Sequence, residues 1–340
     1  MGSACRKSGV LEAVFQLCGE MLLLSCSIVI PTKNRRDDVA ELLKSILNQS
    51  TLPEEVIVVD DSEDDWTREL VANKRTGFRT KGVALNYLTG DDECKSISAN
   101  RNKGAKNSSG DIILFLDDDV VIDKDFIEQT LKVYCTFADA KGVQGYIVNE
   151  RPVSTFYNAL NKVCFCFPRR FFEKDKCRAF PFSYPYPITR IIECEWLAGA
   201  NSSYRREVFK QFSFDESLKG YSLCEDMDLS HRVRKRFPNS LYMSPHARLI
   251  HKNSVVARIS GEAFTNILIA YSSYFFYKNV KQTLTNNLIF YWGVFVGRFI
   301  LKVLTRDPND LVVLANAVIK TSRHLKETRV GNFQFIYASN

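Results

Sequence analysis

The sequence predicts an α/β fold in which helices flank a mostly parallel central sheet. Strand-like runs alternate with runs whose apolar residues recur at helical spacing, as in successive β-α-β units. Two strand candidates, Val56–Val59 and Ile112–Leu116, are continuous apolar runs, which is typical of strands buried on both faces. Aspartates follow both runs directly, so we expect these polar ends to meet at one edge of the sheet.

Strand and helix candidates alternate through the first half of the chain. The first strand stops at Pro31, the first helix keeps its apolar residues on one face, and Gly110 closes the second helix. In order, the candidates are strand 22–30, helix 36–49, strand 56–59, strand 83–88, helix 96–108 and strand 112–116.

The second half continues the alternation around one long interruption. The stretch 168–195 is rich in Phe, Pro, Tyr and charged residues, which predicts a long loop. The last predicted helix ends before Pro238, and the last strand leads to His251. The candidates of this half are helix 125–134, strand 143–148, helix 225–236 and strand 240–250.

Three consecutive aspartates, Asp117, Asp118 and Asp119, follow the strand candidate 112–116. In open α/β sheets, ligands bind beyond the carboxyl ends of the strands, where these side chains are expected. Clustered carboxylates repel one another unless a cation neutralises them, and Mg²⁺ or Mn²⁺ prefers oxygen ligands combined with substrate phosphates. The alternative to a ligand site is that the strand simply leaves the core and ends in an acidic turn exposed to solvent.

Charge is distributed unevenly along the 340 residues. The net charge of +7 falls within residues 251–340, which hold eleven Lys or Arg against four Asp or Glu. These basic residues are interleaved with aromatic residues and belong to no recognised nucleic-acid module, which argues against nucleic-acid binding. The turn at residues 31–34 lacks the glycines of a phosphate-binding loop, which disfavours a nucleotidyltransferase.

Seven short segments form an ordered series of motifs. The fourth contains a D-x-D pattern and the sixth an E-D-x-D-L pattern. The segments are Ser27–Arg35, Val58–Ser62, Ser98–Gly104, Phe115–Asp119, Gly199–Arg206, Cys224–Leu229 and Leu249–His251. Together they resemble the motifs of family 2 glycosyltransferases over about residues 25–255. The resemblance implies a GT-A (Rossmann-like) fold and sugar transfer from a nucleotide-sugar donor to an acceptor hydroxyl.

The resemblance and the composition together predict three parts of the chain. Residues 1–20 are an extension of uncertain role, residues 21–255 a GT-A catalytic domain, and residues 256–340 a helical segment rich in basic and aromatic residues. Within the catalytic domain we expect a nucleotide-binding half at about 21–120 and an acceptor half at about 121–255.

The resemblance implies a set of ligands for Mg²⁺ or Mn²⁺. Asp119 is the primary ligand, Asp117 is the other end of D-x-D, and His251 is a neutral imidazole ligand. The ion would stabilise the charge that develops on the departing diphosphate. The alternative for His251 is a strand-end side chain hydrogen-bonded to backbone.

Asp226 is the predicted general base, which takes the proton of the acceptor hydroxyl. It lies near a helix start, where the helix dipole lowers a carboxylate pKa, whereas Glu225 and Asp228 nearby have the opposite effect. The structural alternative is the ordinary preference for acidic residues in the first turn of a helix.

Other residues are assigned by the resemblance to two sides of the site. Asp60 is expected to accept a hydrogen bond from the nucleotide base. Arg101 could instead lie on a solvated helix face, and Trp196 could instead pack in the core, without either contacting a ligand. The donor side comprises Pro31, Thr32, Asn34, Asp60, Arg101, Asp117 and Asp118, and the acceptor side comprises Trp196, Gly199, Ala200, Asn201 and Glu225.

The resemblance implies an inverting single displacement, which requires no enzyme nucleophile. The Q-x-x-R-W motif of processive members does not occur in the sequence, so transfer of one sugar is expected. The donor would be a UDP-, GDP- or dTDP-linked sugar, and the acceptor a lipid-linked glycan or another cell-surface glycan precursor. A catalytically silent membrane-associated scaffold is the competing class, against which Asp117, Asp119, Asp226 and His251 together argue.

Two interpretations fit the C-terminal segment. Five aromatic residues between 271 and 277 precede the apolar run 288–296, and interspersed Lys and Arg suit an interfacial helix on an anionic membrane. The run is too short for a transmembrane helix, which needs about 20 apolar residues. The other interpretation is a helical pair packed on the catalytic domain. At α-helical spacing, one stripe would hold Asn287, Tyr291, Arg298 and Lys302.

We expect a cytoplasmic location, peripheral on the cytoplasmic face of a membrane. The ten cysteines are scattered without a C-x-x-C pair, as in reduced cytosolic proteins. Three glycosylation sequons occur, at Asn48, Asn107 and Asn201. Asn201 lies in a motif segment and Asn107 in the predicted helix 96–108 that carries another, and a glycan there would block function.

Overall fold

The computed structural model describes residues 24–91, 95–149, 178–179, 182–183, 188–256, 259–305 and 308–337. The strands in these ranges are β1 Cys26–Thr32, β2 Glu55–Asp60, β3 Ala84–Thr89, β4 Ile112–Phe115, β5 Val120–Ile122, β6 Gly142–Ile147, β7 Arg178–Ala179, β8 Phe182–Ser183, β9 Ile192–Glu193, β10 Ser202–Arg205 and β11 Leu241–His251. The α-helices are α1 Arg36–Leu47, α2 Trp66–Thr80, α3 Ile97–Lys106, α4 Phe126–Thr136, α5 Glu225–Arg236, α6 Gly261–Asn279, α7 Leu284–Tyr291, α8 Arg298–Thr305, α9 Pro308–Arg323, α10 Leu325–Arg329 and α11 Gln334–Tyr337. Short 3₁₀ helices cover Gly199–Asn201 and Arg206–Lys210, and a π-helical segment covers Trp292–Gly297.

A nine-stranded mixed sheet forms the centre of the described fold. Its order is β3-β2-β1-β4-β10-β6-β11-β5, and β9 pairs with β11. Neighbours from β3 to β4 are parallel, whereas β10 runs antiparallel to both β4 and β6. The α/β prediction is confirmed, and the parallel arrangement holds mainly for the first half of the chain.

The central strands are buried on both faces, as their continuous apolar runs predict. Every residue of β1, β2 and β4 is buried. Along β1 the side chains alternate between two cores, because Ile28 and Ile30 face one cluster and Val29 faces the other. Helix α1 contributes Leu42 and Ile46 to the first cluster. The sheet is therefore held between two apolar layers, which fixes its carboxyl edge.

Several element boundaries differ from the sequence prediction. The first strand begins at Cys26 rather than Leu22, and residues up to 23 lie outside the described residues. Most of the predicted long loop 168–195 also lies outside them. Helix α2 and strands β5 and β10 were not predicted. Helix α2 buries few apolar side chains, which leaves only a weak periodic signal.

The C-terminal helix α6 packs on the core of the sheet. Tyr271, Phe275 and Phe276 are each 3% exposed or less. Lys278 at the end of α6 forms ion pairs with Asp215 and with Asp228 of α5. For α6, the structure therefore shows the packed alternative rather than an aromatic surface. Among the described residues, no helix is both long and apolar enough to cross a bilayer.

Candidate active site

A cavity of about 620 Å³ opens at the carboxyl edge of the sheet. Its wall is formed by the ends of β1, β4 and β11, the first turns of α3 and α5, and the loop before α5. Helix α3 starts there because Ser96 caps it, accepting a hydrogen bond from the N–H of Ala99 at 3.1 Å. The sheet edge thus brings distant segments of the chain into one space.

Asp117, Asp119 and His251 form a cluster on this wall. One potential ligand atom from each lies within 4.8 Å of the others. Nε2 of His251 is 3.1 Å from Oδ1 of Asp119. Carboxylate oxygens suit Mg²⁺ and Mn²⁺, and an imidazole nitrogen is a ligand for many divalent metals. The donor set therefore fits a divalent cation.

The backbone around His251 is held on both sides. Asn149 accepts a hydrogen bond from the N–H of His251 at 3.0 Å and donates one to its carbonyl at 2.8 Å. The next residue, Lys252, donates its N–H to the carbonyl of Asp119 at 2.9 Å. The backbone of His251 is thus hydrogen-bonded at the end of a strand. Its imidazole, however, lies beside the carboxylate of Asp119, as a metal ligand would.

Asp118 and Asp119 have different electrostatic environments. Burial alone would raise the pKa of Asp119, but hydrogen bonds from His251 and from the N–H of Ser254 hold it below its ordinary value. Burial raises the pKa of Asp118 to about 7, although Arg35 opposes the shift. The oxygens of Asp118 accept from Thr32 at 2.7 Å and from Arg35 at 2.8 Å. Asp118 therefore anchors the loop after β1.

Arg101 connects the two sides of the cavity. Arg101 is 2% exposed, so it does not lie on a solvated helix face, which was the alternative interpretation from the sequence. Its guanidinium donates to Asp117 at 2.8 Å, to the carbonyl of Gly199 at 2.9 Å, and to Glu225. Burial raises the pKa of Glu225 well above its ordinary value, and Arg101 opposes that rise. A buried cation is tolerated here because two acidic side chains and a carbonyl accept hydrogen bonds from it.

Asp226 lies in the first turn of α5 and lines the cavity. Its oxygens accept hydrogen bonds from the N–H of Gly199 at 2.9 Å and the N–H of Met227 at 2.7 Å. Burial raises its pKa, and these donors and Arg101 only partly oppose the shift. A fixed carboxylate with a raised pKa is suited to accept a proton from a ligand.

The loop before α5 contains a run of left-handed residues. Gly220, Ser222 and Cys224 have φ angles of 63°, 48° and 73°, and all three line the cavity. Only glycine adopts this region without cost, so Ser222 and Cys224 store backbone strain. Such strain persists where the surrounding structure requires it, and here the loop delivers Glu225 and Asp226 to the cavity.

Twelve of the fifteen predicted site residues share this cavity, and three lie elsewhere. Asp60 is 0% exposed, and it accepts hydrogen bonds from Ser62 and from the hydroxyl of Tyr87 at 3.1 Å. The residues in the cavity wall are Pro31, Thr32, Asn34, Arg101, Asp117, Asp118, Asp119, Gly199, Ala200, Glu225, Asp226 and His251.

The other two residues outside the wall support it from behind. Trp196 is 7% exposed and belongs to the hydrophobic cluster on one face of the sheet, which is its core-packing alternative. Asn201 is fully buried and accepts a hydrogen bond from the N–H of Gly145 at 3.0 Å. Both side chains thus fix the segment that presents Gly199 and Ala200.

Asp61 and Asn100 line the cavity but were not assigned to the donor side from the sequence. Burial raises the pKa of Asp61, and a hydrogen bond with Asn100 opposes that rise. A Cβ atom on Gly90 would lie 1.6 Å from Oδ1 of Asp61, so a larger residue there would displace the Asp61 carboxylate. Successive residues at a strand end point to opposite sides, so the burial of Asp60 against Tyr87 leaves Asp61 facing the cavity. The sequence alone does not show which of the two adjacent aspartates faces inward.

Comparisons with known proteins agree with this fold. The family model of glycosyl transferase family 2 matches residues 27–212. Validoxylamine A glucosyltransferase from Streptomyces hygroscopicus subsp. limoneus is 33% identical over 121 residues, which are 35% of this chain and 26% of that protein. Glucosyl-dolichyl phosphate glucuronosyltransferase from Haloferax volcanii is 29% identical over 237 residues, which are 67% of this chain and 69% of that protein.

A solved structure of a mannosyltransferase from Pyrobaculum calidifontis, in complex with GDP-Man and Mn²⁺, has a similar fold. Its TM-score is 0.54 at 14% identity, and the match covers 92% of this chain and 85% of that chain. The alignments with the first curated relatives span between 26% and 33% of those proteins' own length. Because the family model covers more than half of the chain and the fold is GT-A, this chain belongs to glycosyl transferase family 2.

Proposed function

We propose that this protein is a metal-dependent, inverting glycosyltransferase that moves one sugar from a nucleotide-sugar donor to an acceptor hydroxyl. One observation carries the proposal: a single cavity holds the cluster of Asp117, Asp119 and His251 together with the carboxylate of Asp226. A scaffold protein would have no need for a cation-type donor set and a carboxylate with a raised pKa in one space.

The acceptor step is assigned to Asp226. Its carboxylate takes the proton of the acceptor hydroxyl while the hydroxyl oxygen bonds to the anomeric carbon. The bond from that carbon to the diphosphate breaks, and its electron pair leaves with the diphosphate. Attack opposite the leaving group inverts the anomeric centre in one displacement. The N–H groups of Gly199 and Met227 keep the carboxylate oriented for this transfer.

The donor side is assigned to the ends of β1 and β4. Asp117, Asp119 and His251 would hold Mg²⁺ or Mn²⁺, which when bound supplies positive charge that stabilises the departing diphosphate. Asp61 is the proposed acceptor of a hydrogen bond from the nucleotide base, because it faces the cavity and Asp60 does not. Candidate donors are UDP-, GDP- and dTDP-linked sugars.

The proposed acceptor is a lipid-linked glycan or another cell-surface glycan precursor, met at the cytoplasmic face of a membrane. The name of the Haloferax volcanii relative specifies a sugar on dolichyl phosphate, which supports a lipid-linked acceptor here. The basic, aromatic C-terminal segment supports contact with a membrane surface.

A donor panel tests the proposal. The protein is incubated with UDP-, GDP- and dTDP-linked sugars and Mg²⁺ or Mn²⁺, and release of nucleoside diphosphate is measured for wild type and Asp226→Asn. We expect release with one donor, its loss with a metal chelator, and a decrease of about 10²- to 10⁴-fold in Asp226→Asn, since removal of a general base typically costs this much.

The control is Asp139→Asn, which removes an exposed carboxylate outside the cavity wall. It should release nucleoside diphosphate as wild type does, and donor binding measured by thermal shift should survive in both variants. Undiminished release in Asp226→Asn would exclude this residue as the base. If no donor raises the melting temperature with or without metal, the glycosyltransferase proposal is wrong.

A further inference from the structure

A row of large apolar and aromatic side chains is exposed along the C-terminal helices. These residues are between 39% and 78% exposed, and each lies within about one turn of the next along the chain. We call this row the apolar stripe; its members are Leu284, Leu288, Tyr291, Trp292, Val296, Phe299 and Val303. Isolated exposed apolar residues are ordinary, whereas a contiguous apolar surface usually marks an interaction site.

The opposite face of the same helices is already buried. Phe290 and Val294 pack with Ile269 and Phe276 of α6 and with Leu314 of α9. The rings of Phe276 and Phe290 stack with their centroids 4.0 Å apart. These contacts occupy the inner face, so the segment cannot turn its stripe inward without losing them. The segment is apolar on two faces, and the fold covers one of them.

The π-helical segment Trp292–Gly297 keeps the stripe on one side. Leu284, Leu288, Trp292 and Val296 are four residues apart, and in an α-helix each such step rotates by about 40°. A π-helical turn contains more residues, because its hydrogen bonds join residues five apart, and it counteracts this rotation. Phe299 continues the exposed row after the π segment. The row of exposed apolar side chains therefore runs across the backbone irregularity.

The sequence of the segment that carries the stripe has charges of one sign. Between residues 263 and 306 the sequence has five Lys or Arg and no Asp or Glu. Lys278 is paired with Asp215 and Asp228, and Lys281, Arg298, Lys302 and Arg306 are further positive charges in the segment. Tyr and Trp, both present in the stripe, favour the boundary between lipid and water. Apolar and aromatic residues bordered by cations are the composition of helices that lie on anionic bilayers.

We propose that the apolar stripe docks this protein onto an anionic lipid bilayer, with α7 and α8 lying in the interface. The inference deepens the proposed function and rests on it in one respect: docking would bring the enzyme to an acceptor that is linked to lipid. The helices of the stripe are joined to the cavity through α6. Phe290 of α7 stacks on Phe276 of α6, and the hydroxyl of Tyr271 of α6 donates to the carbonyl of Lys219 at 3.1 Å, next to Gly220 in the cavity wall. A docked protein would hold its acceptor side near the membrane surface.

Vesicle flotation tests the inference with the full chain and without donor or acceptor. The vesicles contain phosphatidylcholine with about one third phosphatidylglycerol, an anionic lipid. Leu288→Gln and Phe299→Gln are combined in one variant, because both side chains are well exposed, at 61% and 49%. We expect at least tenfold weaker partitioning of this variant, the equivalent of about 1.4 kcal/mol. Wild-type binding should weaken in added salt and on purely neutral vesicles.

The matched control is Trp66→Gln, since Trp66 is 64% exposed on α2, away from the stripe. It should partition as wild type does, and both variants should keep the wild-type melting temperature. Failure of the wild type to float, or equal flotation of the double variant, would overturn the inference. Neither result affects the donor-release assay, so the two proposals can fail separately.

Tryptophan quenching locates the contact. In a Trp66→Phe background, brominated lipids should quench the fluorescence of Trp292, which is 39% exposed. The fluorescence of Trp196, which is 7% exposed in the core, should not be quenched. Flotation without quenching would mean that another surface docks, which contradicts the inference. Sedimentation of the wild type and the double variant gives the remaining outcome. If the wild type is a dimer and the double variant a monomer, the stripe binds a second copy of this chain and the inference is wrong.

Discussion

At the residue scale, the pKa of Asp226 decides how the proposed reaction responds to pH. Burial raises this pKa, and the N–H groups of Gly199 and Met227 oppose the rise only partly. A base acts only in its deprotonated form, so the active fraction grows as the pH passes upward through the raised pKa. The environment that makes Asp226 a better base also requires a higher pH for its ionisation.

We therefore expect kcat/KM to rise with pH along an acid limb whose midpoint lies above the ordinary carboxyl value of about 4. The profile is measured at constant free metal between about pH 4 and pH 8, the range in which carboxyl and imidazole groups titrate. Asp226→Glu should keep an acid limb at reduced rate. An acid limb at an unshifted carboxyl pKa, or a rate independent of pH, would contradict the assignment.

Sequence reasoning identified the residue types of the site better than their orientation. The D-x-D pattern and the E-D-x-D-L pattern named Asp117, Asp119 and Asp226, which the structure brings into one cavity. Sequence reasoning assigned the hydrogen bond with the nucleotide base to Asp60, whereas Asp61 is the aspartate that lines the cavity. Adjacent residues at a strand end point to opposite sides, and only the packing of Asp60 on Tyr87 shows which side is which.

At the element scale, the close contact of α3 with β1 positions Arg101. Gly104, one turn after Arg101, has no side chain where α3 crosses the strand, and a Cβ there would lie 2.2 Å from Cγ1 of Val29. Val29 is fully buried in the core behind the sheet and has no room to move. A larger residue at 104 would push α3, and Arg101 with it, away from the cavity.

Gly104→Ala should therefore lower the free energy of unfolding by about 1–2 kcal/mol, because overpacking outweighs the better helix propensity of alanine. Urea denaturation measures the change. Gly77→Ala in α2 is the matched control, since a Cβ added at Gly77 would meet nothing within 4 Å. It should raise stability by about 0.5–1 kcal/mol, as alanine does at an open helical site. Equal effects of the two substitutions would mean that the contact with Val29 is unimportant.

Local signals determined how well each element was predicted. Helix α5 has acidic residues at its start, basic residues at its end and Pro238 after it, and its predicted bounds of 225–236 are confirmed. Helix α2 offers few buried apolar residues and was missed. In the C-terminal segment, α-helical spacing placed Asn287 and Arg298 on one stripe, but the π segment alters the rotation between them. A change of helix type leaves no period that sequence reasoning can detect.

At the scale of the whole molecule, ionic contacts join the C-terminal helices to the part that carries the cavity. Asp215 accepts hydrogen bonds from Lys278 and Tyr274 of α6 and from Ser217. Burial alone would raise the pKa of Asp215, but these donors together lower it to about 2. Asp228, in the E-D-x-D-L motif, accepts from Asn279 at 2.8 Å and pairs with Lys278. Asp228 thus anchors α6 rather than lining the cavity.

The depressed pKa of Asp215 makes this junction sensitive to acid. A folded-state pKa below the unfolded value of about 3.9 stabilises the protein at pH values above both, and the stabilisation is lost as the pH falls toward the folded-state pKa. Asp215→Asn should therefore cost about 2 kcal/mol of unfolding free energy near pH 7 and about half of that near pH 3. Urea unfolding at both pH values measures this, with the exposed Asp139→Asn as control. A cost that does not change with pH would show that the charge of Asp215 is not responsible.

The arrangement of the whole chain was predicted less completely than its parts. The alternation of elements predicts the α/β sheet, yet nothing local indicates that β10 inserts antiparallel between β4 and β6. The aromatic residues of α6 have the same composition whether they face lipid or a protein core, and only tertiary contacts show that they are buried. The division at residues 21–255 and 256–340 stays a prediction.

The position of Arg101 has a consequence for how this protein can be altered. One guanidinium donates to Asp117 on the proposed donor side, and to Glu225 and the carbonyl of Gly199 on the proposed acceptor side. A substitution at Glu225 removes one of the two acidic partners of this buried cation, and Asp117 alone must then stabilise it. If the proposed roles hold, a substitution on either side of Arg101 will disturb the other side, so redesign of the donor or the acceptor preference has to begin with Arg101 and its two acidic partners.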